Sequence, residues 1–154
     1  MKVIVISDSH GSTNNIIYAL SREKDITTVI FLGDGMDDIQ LAELWFPEHK
    51  FICVNGNCDS YLSDNTVAYK HIEGTTIVMT HGHRFNVKVS RRELINHAKG
   101  VLAHLALYGH THRAEDTVDP LTGIRLVNPG ALYDGRYAVI DFRKGSVDVE
   151  LKRI

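Results

Sequence analysis

Proline is scarce in this 154-residue chain, with three residues, and cysteine is scarcer, with two. No proline-rich tract, low-complexity stretch or repeat divides the sequence, so residues 1–154 are expected to form a single domain with a sizeable core. Two cysteines exclude a disulfide scaffold. Cys53 and Cys58 match neither a redox Cys-x-x-Cys nor a zinc-finger spacing, and both are expected as reduced thiols. Long hydrophobic runs are missing as well: no stretch approaches the ~18 apolar residues of a membrane span. Met1-Lys2 leads into only four apolar residues before Ser7, too few for a signal-peptide core. No membrane partner and a cytoplasmic location are therefore expected. Nor is there an excess of one charge. Lys and Arg total 17 against 19 Asp and Glu, a formal net charge of −2, which excludes a broad basic surface for nucleic acid and leaves small anions open.

What the chain has in surplus is histidine. It carries nine, and four of them fall in two tight groups, His81-Gly82-His83 and His110-Thr111-His112. The apolar runs explain where such groups sit. Val3-Ile4-Val5-Ile6 is a β-branched run of the kind that builds a strand buried on both faces, and it gives way at once to Ser7-Asp8-Ser9-His10. In an extended chain Asp8 and His10 leave on the same side, about 6.5 Å apart at the backbone, which suits a divalent cation.

The pattern recurs along the chain. Ser12 or Thr13 can cap a helix carrying Ile16, Ile17 and Leu20. Thr27–Leu32 reads as a buried strand that opens into Gly33-Asp34-Gly35, after which Asp37 or Asp38 caps a helix that Pro47 stops. Phe51–Val54 leads into Asn55-Gly56-Asn57-Cys58-Asp59. Thr66–Ile72 and Thr75–Thr80 flank Glu73-Gly74 as a hairpin whose second strand delivers His81. Ser90-Arg91-Arg92-Glu93 reads as a capping box for a third helix closed by Gly100. Leu102–Tyr108 is taken as a strand ending in Gly109-His110-Thr111-His112. From there the pattern turns wholly β, over 114–118, 124–127, 136–142 and 147–152. Early βα alternation followed by late hairpins implies an α/β fold in which two mixed sheets pack face to face with helices outside.

Five apolar runs thus end in side chains able to ligate metal: Asp8 and His10, Asp34, Asn57, His81, and His110 and His112. Ligands bind in the crevice outside the carboxyl ends of strands in such sheets, so these seven could meet. Taken singly each has a plainer reading, Asp34 as a turn former, Asn57 as a left-handed residue, the histidines as buried and hydrogen-bonded. Seven donors are too many for one tetrahedral ion and suit two ions sharing a carboxylate. The donor types, imidazole, amide and carboxylate without thiolate, favour Mn, Fe, Co, Ni or Zn over Ca or Mg.

Asp8-x-His10, Gly33-Asp34-x-x-Asp37, Gly56-Asn57-Cys58-Asp59, His81-Gly82-His83 and Gly109-His110-Thr111-His112, in that order, resemble the calcineurin-like metallophosphoesterase superfamily. The chain's small size and the Gly-Asn-Cys-Asp form are most similar to the small prokaryotic phosphodiesterase branch. The resemblance implies a four-layer αββα sandwich, two mixed β-sheets flanked by helices. It implies one metal on Asp8, His10, Asp34 and His112, and a second on Asp34, Asn57, His81 and His110, with Asp34 as bridge. Two such cations, Mn expected first, with Ni, Fe, Co or Zn open, would share a hydroxide that attacks phosphorus. The expected activity is a binuclear metal-dependent phosphodiesterase acting on a small phosphodiester, with Asn57 and His83 in catalytic roles and an oligomer left open.

Many members carry His where this chain has Cys58, and a thiol is a poor acid toward an alkoxide, so His83 is the residue expected to contact substrate or leaving group. Its plainer reading is a structural imidazole. Asp59 could orient a ligand, and Arg84, Arg91 and Arg92 could greet an anion. The rival functions are a phosphomonoesterase and a protein-binding scaffold of the same fold, as in the retromer subunit resembling this family. Competent residue types at all seven positions favour catalysis over the scaffold.

Overall fold

Alternation along the first strand sets up the whole architecture. In β1 (Lys2–Ile6), Val3 and Val5 face one way and Ile4 and Ile6 the other, and all four are completely buried. Val3 and Val5 join a core with Ile77, Met79, Leu105 and Leu107, residues of a second sheet. Ile4 and Ile6 pack instead on Ile16, Ala19 and Leu20 of α1 (Thr13–Arg22) and on Ile39 and Ala42 of α2 (Met36–Trp45). A strand buried on both faces therefore requires a layer on each side.

The computed structural model describes residues 1–60 and 65–154. Its first sheet places β2 (Thr28–Phe31) and β3 (Lys50–Cys53) parallel to β1 on one side. On the other side lie β9 (Arg136–Arg143) and β10 (Ser146–Arg153), antiparallel, giving the order β10-β9-β1-β2-β3. The second sheet has the order β4-β5-β6-β8-β7, built from β4 (Val67–Ile72), β5 (Thr75–Thr80), β6 (Leu105–Leu107), β7 (Glu115–Val118) and β8 (Arg125–Asn128). Here β5, β6 and β8 run parallel, with antiparallel β4 and β7 at the edges. Helix α3 (Arg92–Gly100) covers its outer face, with Leu94 and Ala98 on Val78, Ala106, Tyr108 and Leu126. The layers are thus α1 and α2, first sheet, second sheet, α3, the four-layer αββα sandwich of two mixed sheets. Each fully buried Ile or Leu in these layers contributes about 1.5–3 kcal/mol.

Local details differ from the sequence reading where side chains found better partners. Asp37 and Asp38 do not cap α2; its N-cap is Gly35, with no side-chain cap. The Asp38 carboxylate instead accepts from Ser9 Oγ (2.6 Å), the Gly11 N–H (2.9 Å) and Thr13 Oγ1 (2.8 Å), tying α2 to the turn after β1. Ser12 is the N-cap of α1, also without a side-chain bond. The expected capping box at Ser90 is absent: α3 starts one residue later, after Arg91, and Ser90 Oγ accepts from Arg92 N–H at 3.1 Å. The expected strand over 102–108 shrinks to Leu105–Leu107 because Leu102 turns left-handed (φ 55) and is exposed. Glu73-Gly74 behaves as predicted, with both residues at positive φ in a two-residue hairpin turn closing Ile72 onto Thr75.

Candidate metal centre

The strands that end in predicted ligands all point their carboxyl ends to one rim. β1, β2 and β3 arrive from one sheet and β5 and β6 from the other. The backbone then turns sharply. Asp8 (φ 56), His10 (φ 45), Asp34 (φ 63), His110 (φ 65) and His112 (φ 59) all adopt the left-handed conformation. Asp8 and His10 therefore meet through consecutive tight turns, and the extended alternation expected for them stops at Ile6. Non-glycine residues so placed are strained by about 1–3 kcal/mol each, and such strain concentrates at functional sites.

Each carboxylate is anchored through one oxygen and presents the other. Asp8 Oδ2 accepts from Ser7 Oγ (2.6 Å) and from the His110 N–H (3.1 Å). Asp8 Oδ1 is fully buried with no hydrogen-bond partner among the described residues, and lies 3.1 Å from His112 Nε2, 3.7 Å from His10 Nε2 and 3.9 Å from His81 Nε2. Asp34 repeats the device. Its Oδ1 accepts from the Cys58 N–H at 2.8 Å, while Oδ2 lies 3.2 Å from His81 Nε2 and 3.9 Å from His10 Nε2. His81 is likewise fixed from behind: Nδ1 donates to the Leu32 carbonyl at 2.8 Å, which leaves Nε2 facing the cluster, 3.1 Å from His110 Nδ1.

These atoms fall into overlapping trios, Asp8-His10-His112, Asp34-His81-His110 and His10-Asp34-Cys58, each with its ligand atoms within 4.8 Å of one another. A buried carboxylate oxygen without a donor, faced by several imidazole nitrogens, is the arrangement a divalent cation satisfies, so these residues fit metal. Close backbone approach makes it feasible. A Cβ on Gly109 would sit 1.9 Å from Ser7 Oγ, and one on Gly56 would sit 2.0 Å from Asp34 Oδ1.

Electrostatics follow from this crowding. Burial alone would raise the pKa of Asp34, but the hydrogen bond and charge of His81, with the N–H and thiol of Cys58, hold it far below the ordinary carboxylate range. Burial works against a charged His81, yet its bond to Asp34 and the charge of Asp8 raise its pKa. His110 is pushed down to about 4 by burial and by the charges of His81 and Lys88. Burial, with His81 and Arg84 nearby, also lowers His83. The Cys58 thiol is pushed up by burial and by its hydrogen bond to Asp34.

Six of the seven predicted ligands thus share one spot: Asp8, His10, Asp34, His81, His110 and His112. Asn57 is exposed on the same turn, and its Nδ2 donates to Sγ of Cys58, a member of the third trio, at 3.3 Å. Cys58, whose side chain was not among the expected donors, also lies beside this spot. The Cys58 thiol stands among His10 and Asp34 because the turn that carries it is folded around Asp59. Asp59 accepts from four backbone N–H groups, those of Asp34, Gly35, Met36 and Gly56 (2.7–2.9 Å), and so fixes the backbone bearing Asp34. His83 lies beside the cluster, its ring centroid 5.5 Å from His81 and 6.2 Å from His110, with a buried Nδ1 that has no hydrogen-bond partner among the described residues. Asp37 is exposed on the rim of the adjoining cleft, of about 210 Å³. Arg91 does not reach toward it: its nitrogens bond Tyr108 Oη, Glu115 and the Val87 carbonyl.

Sequence reasoning missed three supports. Ser7 orients Asp8. Buried Asn128, at the end of β8, donates to the Gly109 carbonyl (2.9 Å) and to Thr111 Oγ1 (3.1 Å), holding the loop of His110 and His112. Tyr133 Oη lies 3.3 Å from His112 Nδ1. The signal for Asn128 was present, since Asn128-Pro129-Gly130 is one more polar cluster at a strand end.

Comparison with known proteins agrees with this geometry. The family model for the calcineurin-like phosphoesterase superfamily domain matches residues 1–145. A protein named "Probable metallophosphoesterase" from Mycoplasma pneumoniae is 29% identical over 135 residues, covering 85% of this chain and 79% of its own. "Probable metallophosphoesterase YsnB" from Bacillus subtilis is 28% identical over 133 residues, covering 86% and 75%. Among solved structures, a conserved Streptococcus pneumoniae protein described as a predicted phosphoesterase superposes with TM-score 0.81 at 26% identity, over 99% of this chain and 88% of that one. An archaeal phosphodiesterase (TM-score 0.74, 21% identity, 99% and 100% covered) shares the fold. So does Vps29 from Entamoeba histolytica (0.77, 20%, 100% and 99%). Among the described residues, no helix is long and apolar enough to cross a membrane.

Proposed function

Because the chain belongs to the calcineurin-like phosphoesterase superfamily, we propose that it is a binuclear metal-dependent phosphodiesterase cleaving a small phosphodiester. The observation that carries this reading is the pair of carboxylates, Asp8 and Asp34, each pinned through one oxygen so that the other faces a ring of imidazoles. Asp8, His10, Asp34 and His112 would hold one divalent ion, and Asp34, His81, His110 and Asn57 the other. Asn57 would ligate through Oδ1, leaving Nδ2 for its contact with Cys58. Mn heads the candidates, with Fe, Co, Ni and Zn following from the same donor types. When bound, the cations supply charge that acidifies water and neutralises the phosphoryl oxygens.

The residues around them do the rest. Ser7, Asp59 and Asn128 fix the ligand-bearing turns. His83, the nearest imidazole outside the trios, is assigned to the substrate or leaving group. Its place beside His81 and His110 supports that assignment, and His83→Ala is expected to lower turnover about a hundredfold with metal content retained.

The test is hydrolysis of bis(p-nitrophenyl) phosphate by chelated protein before and after Mn is restored, beside p-nitrophenyl phosphate. Turnover of the diester that depends on Mn is expected. Faster turnover of the monoester would make the protein a phosphomonoesterase, and no turnover with Mn, Fe, Co, Ni or Zn would favour a protein-binding scaffold of this fold.

A further inference from the structure

Beside the metal centre lies a second cleft, of about 320 Å³, lined by Lys88, Arg91, Thr111 and Arg113. It shares a wall with the centre. Thr111 stands between His110 and His112, and Arg113 follows directly. Lys88 comes from the segment linking the His83 turn to α3 and faces Thr111 and Arg113 across the cleft.

The four lining side chains are not equivalent. Arg91 is spent: Glu115 neutralises it at 2.6 Å, and Tyr108 and the Val87 carbonyl take its other nitrogens. Lys88 and Arg113 are exposed, and among the described residues neither has a carboxylate within ion-pair distance. Thr111 Oγ1 accepts two hydrogen bonds, from Asn128 Nδ2 (3.1 Å) and from the Arg113 N–H (3.3 Å). With both acceptor positions used, its own proton remains to donate. Two uncompensated cations and one committed hydroxyl donor make a cleft complementary to a compact anion. In a chain of net charge −2 this is a local feature, too small to track a long polyanion.

We propose that this cleft is a second anion subsite, and that the substrate is a phosphodiester carrying a further phosphate monoester group on the unit next to the scissile bond. This rests on the phosphodiesterase reading for the first site. The terminal phosphate sits between Lys88 and Arg113 with Thr111 beneath it, while the diester lies at the rim of His110 and His112. A short oligonucleotide with a 5′-phosphate has this chemistry.

The probes are thymidylyl-thymidine with and without a 5′-phosphate. In chelator, where no hydrolysis occurs, an amide NMR titration of the wild-type protein is expected to show about tenfold tighter binding of the phosphorylated dinucleotide, with shifts at Thr111 and Arg113. Lys88→Gln combined with Arg113→Gln is expected to bring the two affinities within about twofold, and each single substitution gives part of that loss. With Mn, the ratio of kcat/KM for the two dinucleotides follows the same order. Equal binding of both by the wild type, or a preference that survives the double substitution, overturns the proposal. Failure to hydrolyse any diester with Mn would instead overturn the reading of the first site, and the chelated binding ratio would still decide this one.

Discussion

The two rims of the sandwich use the same backbone geometry for different ends. At the far rim, Gly74, Gly123 and Gly145 take positive φ in turns between strands, and a Cβ on any of them would meet nothing within 4 Å. Glycine there serves only the turn. At the near rim a Cβ on Gly33, Gly56 or Gly109 would collide with a neighbouring turn or with Asp34 or Ser7, and five candidate ligands, Asp8, His10, Asp34, His110 and His112, are themselves left-handed. One rim uses positive φ, at Glu73 and Leu102 as well as at these glycines, to change direction. The other uses it to bring charged and polar side chains from two sheets within reach of each other.

Substitutions at matched positions sharpen this contrast. The largest effect is expected for Asp34→Asn, which sits in two of the three trios: turnover should fall by about a thousandfold or more, with loss of bound metal by elemental analysis. Asp59→Asn, which disturbs only the backbone under Asp34, should weaken metal affinity about ten- to a hundredfold. Equal losses in the two would remove Asp34 from its bridging role.

Metal affinity should also depend on pH. The raised pKa of His81 means that the metal-free protein keeps a proton there further up the pH scale, and a cation must displace it. Calorimetric titration with Mn should therefore show affinity falling from about pH 8 to about pH 6, with proton release on binding. An affinity independent of pH over that range would contradict the coupling. The smallest pair compares the rims directly. Gly109→Ala is expected to cost about 1–3 kcal/mol and most of the activity, since Ser7 and Asp8 must move. Gly145→Ala should cost about 1–2 kcal/mol in denaturant unfolding and leave turnover unchanged.

Much of the near rim was readable from residue order. Val3–Ile6 and Thr27–Leu32 declare buried strands, and the polar residues after them mark the carboxyl ends, so that Asp8, Asp34 and the histidines could meet, with the family resemblance supplying their grouping. What could not be read depended on competition among polar partners. Asp38 looks like a helix cap, but three donors around Ser9 offer more than the α2 N-terminus does. Cys58 comes beside Asp34 through its backbone N–H, on a turn held by Asp59, which gathers four amides from two separate turns. Leu102 begins an apolar run, yet the chain leaves α3 by a left-handed turn there, and periodicity does not report that. Arg91 reads as a free cation until Tyr108 and Glu115 fold against it.

The clustered side chains are split between the layers: Asp8, His10 and Asp34 follow strands of one sheet, and His81, His110 and His112 follow strands of the other. Any ion gripped by both groups would act as a rivet across the seam of the sandwich. Tightness of binding and resistance to unfolding then become one linked quantity. Chelation should lower the melting temperature as well as silence the chemistry, and a variant that splays the sheets should leak metal even when every ligand is intact.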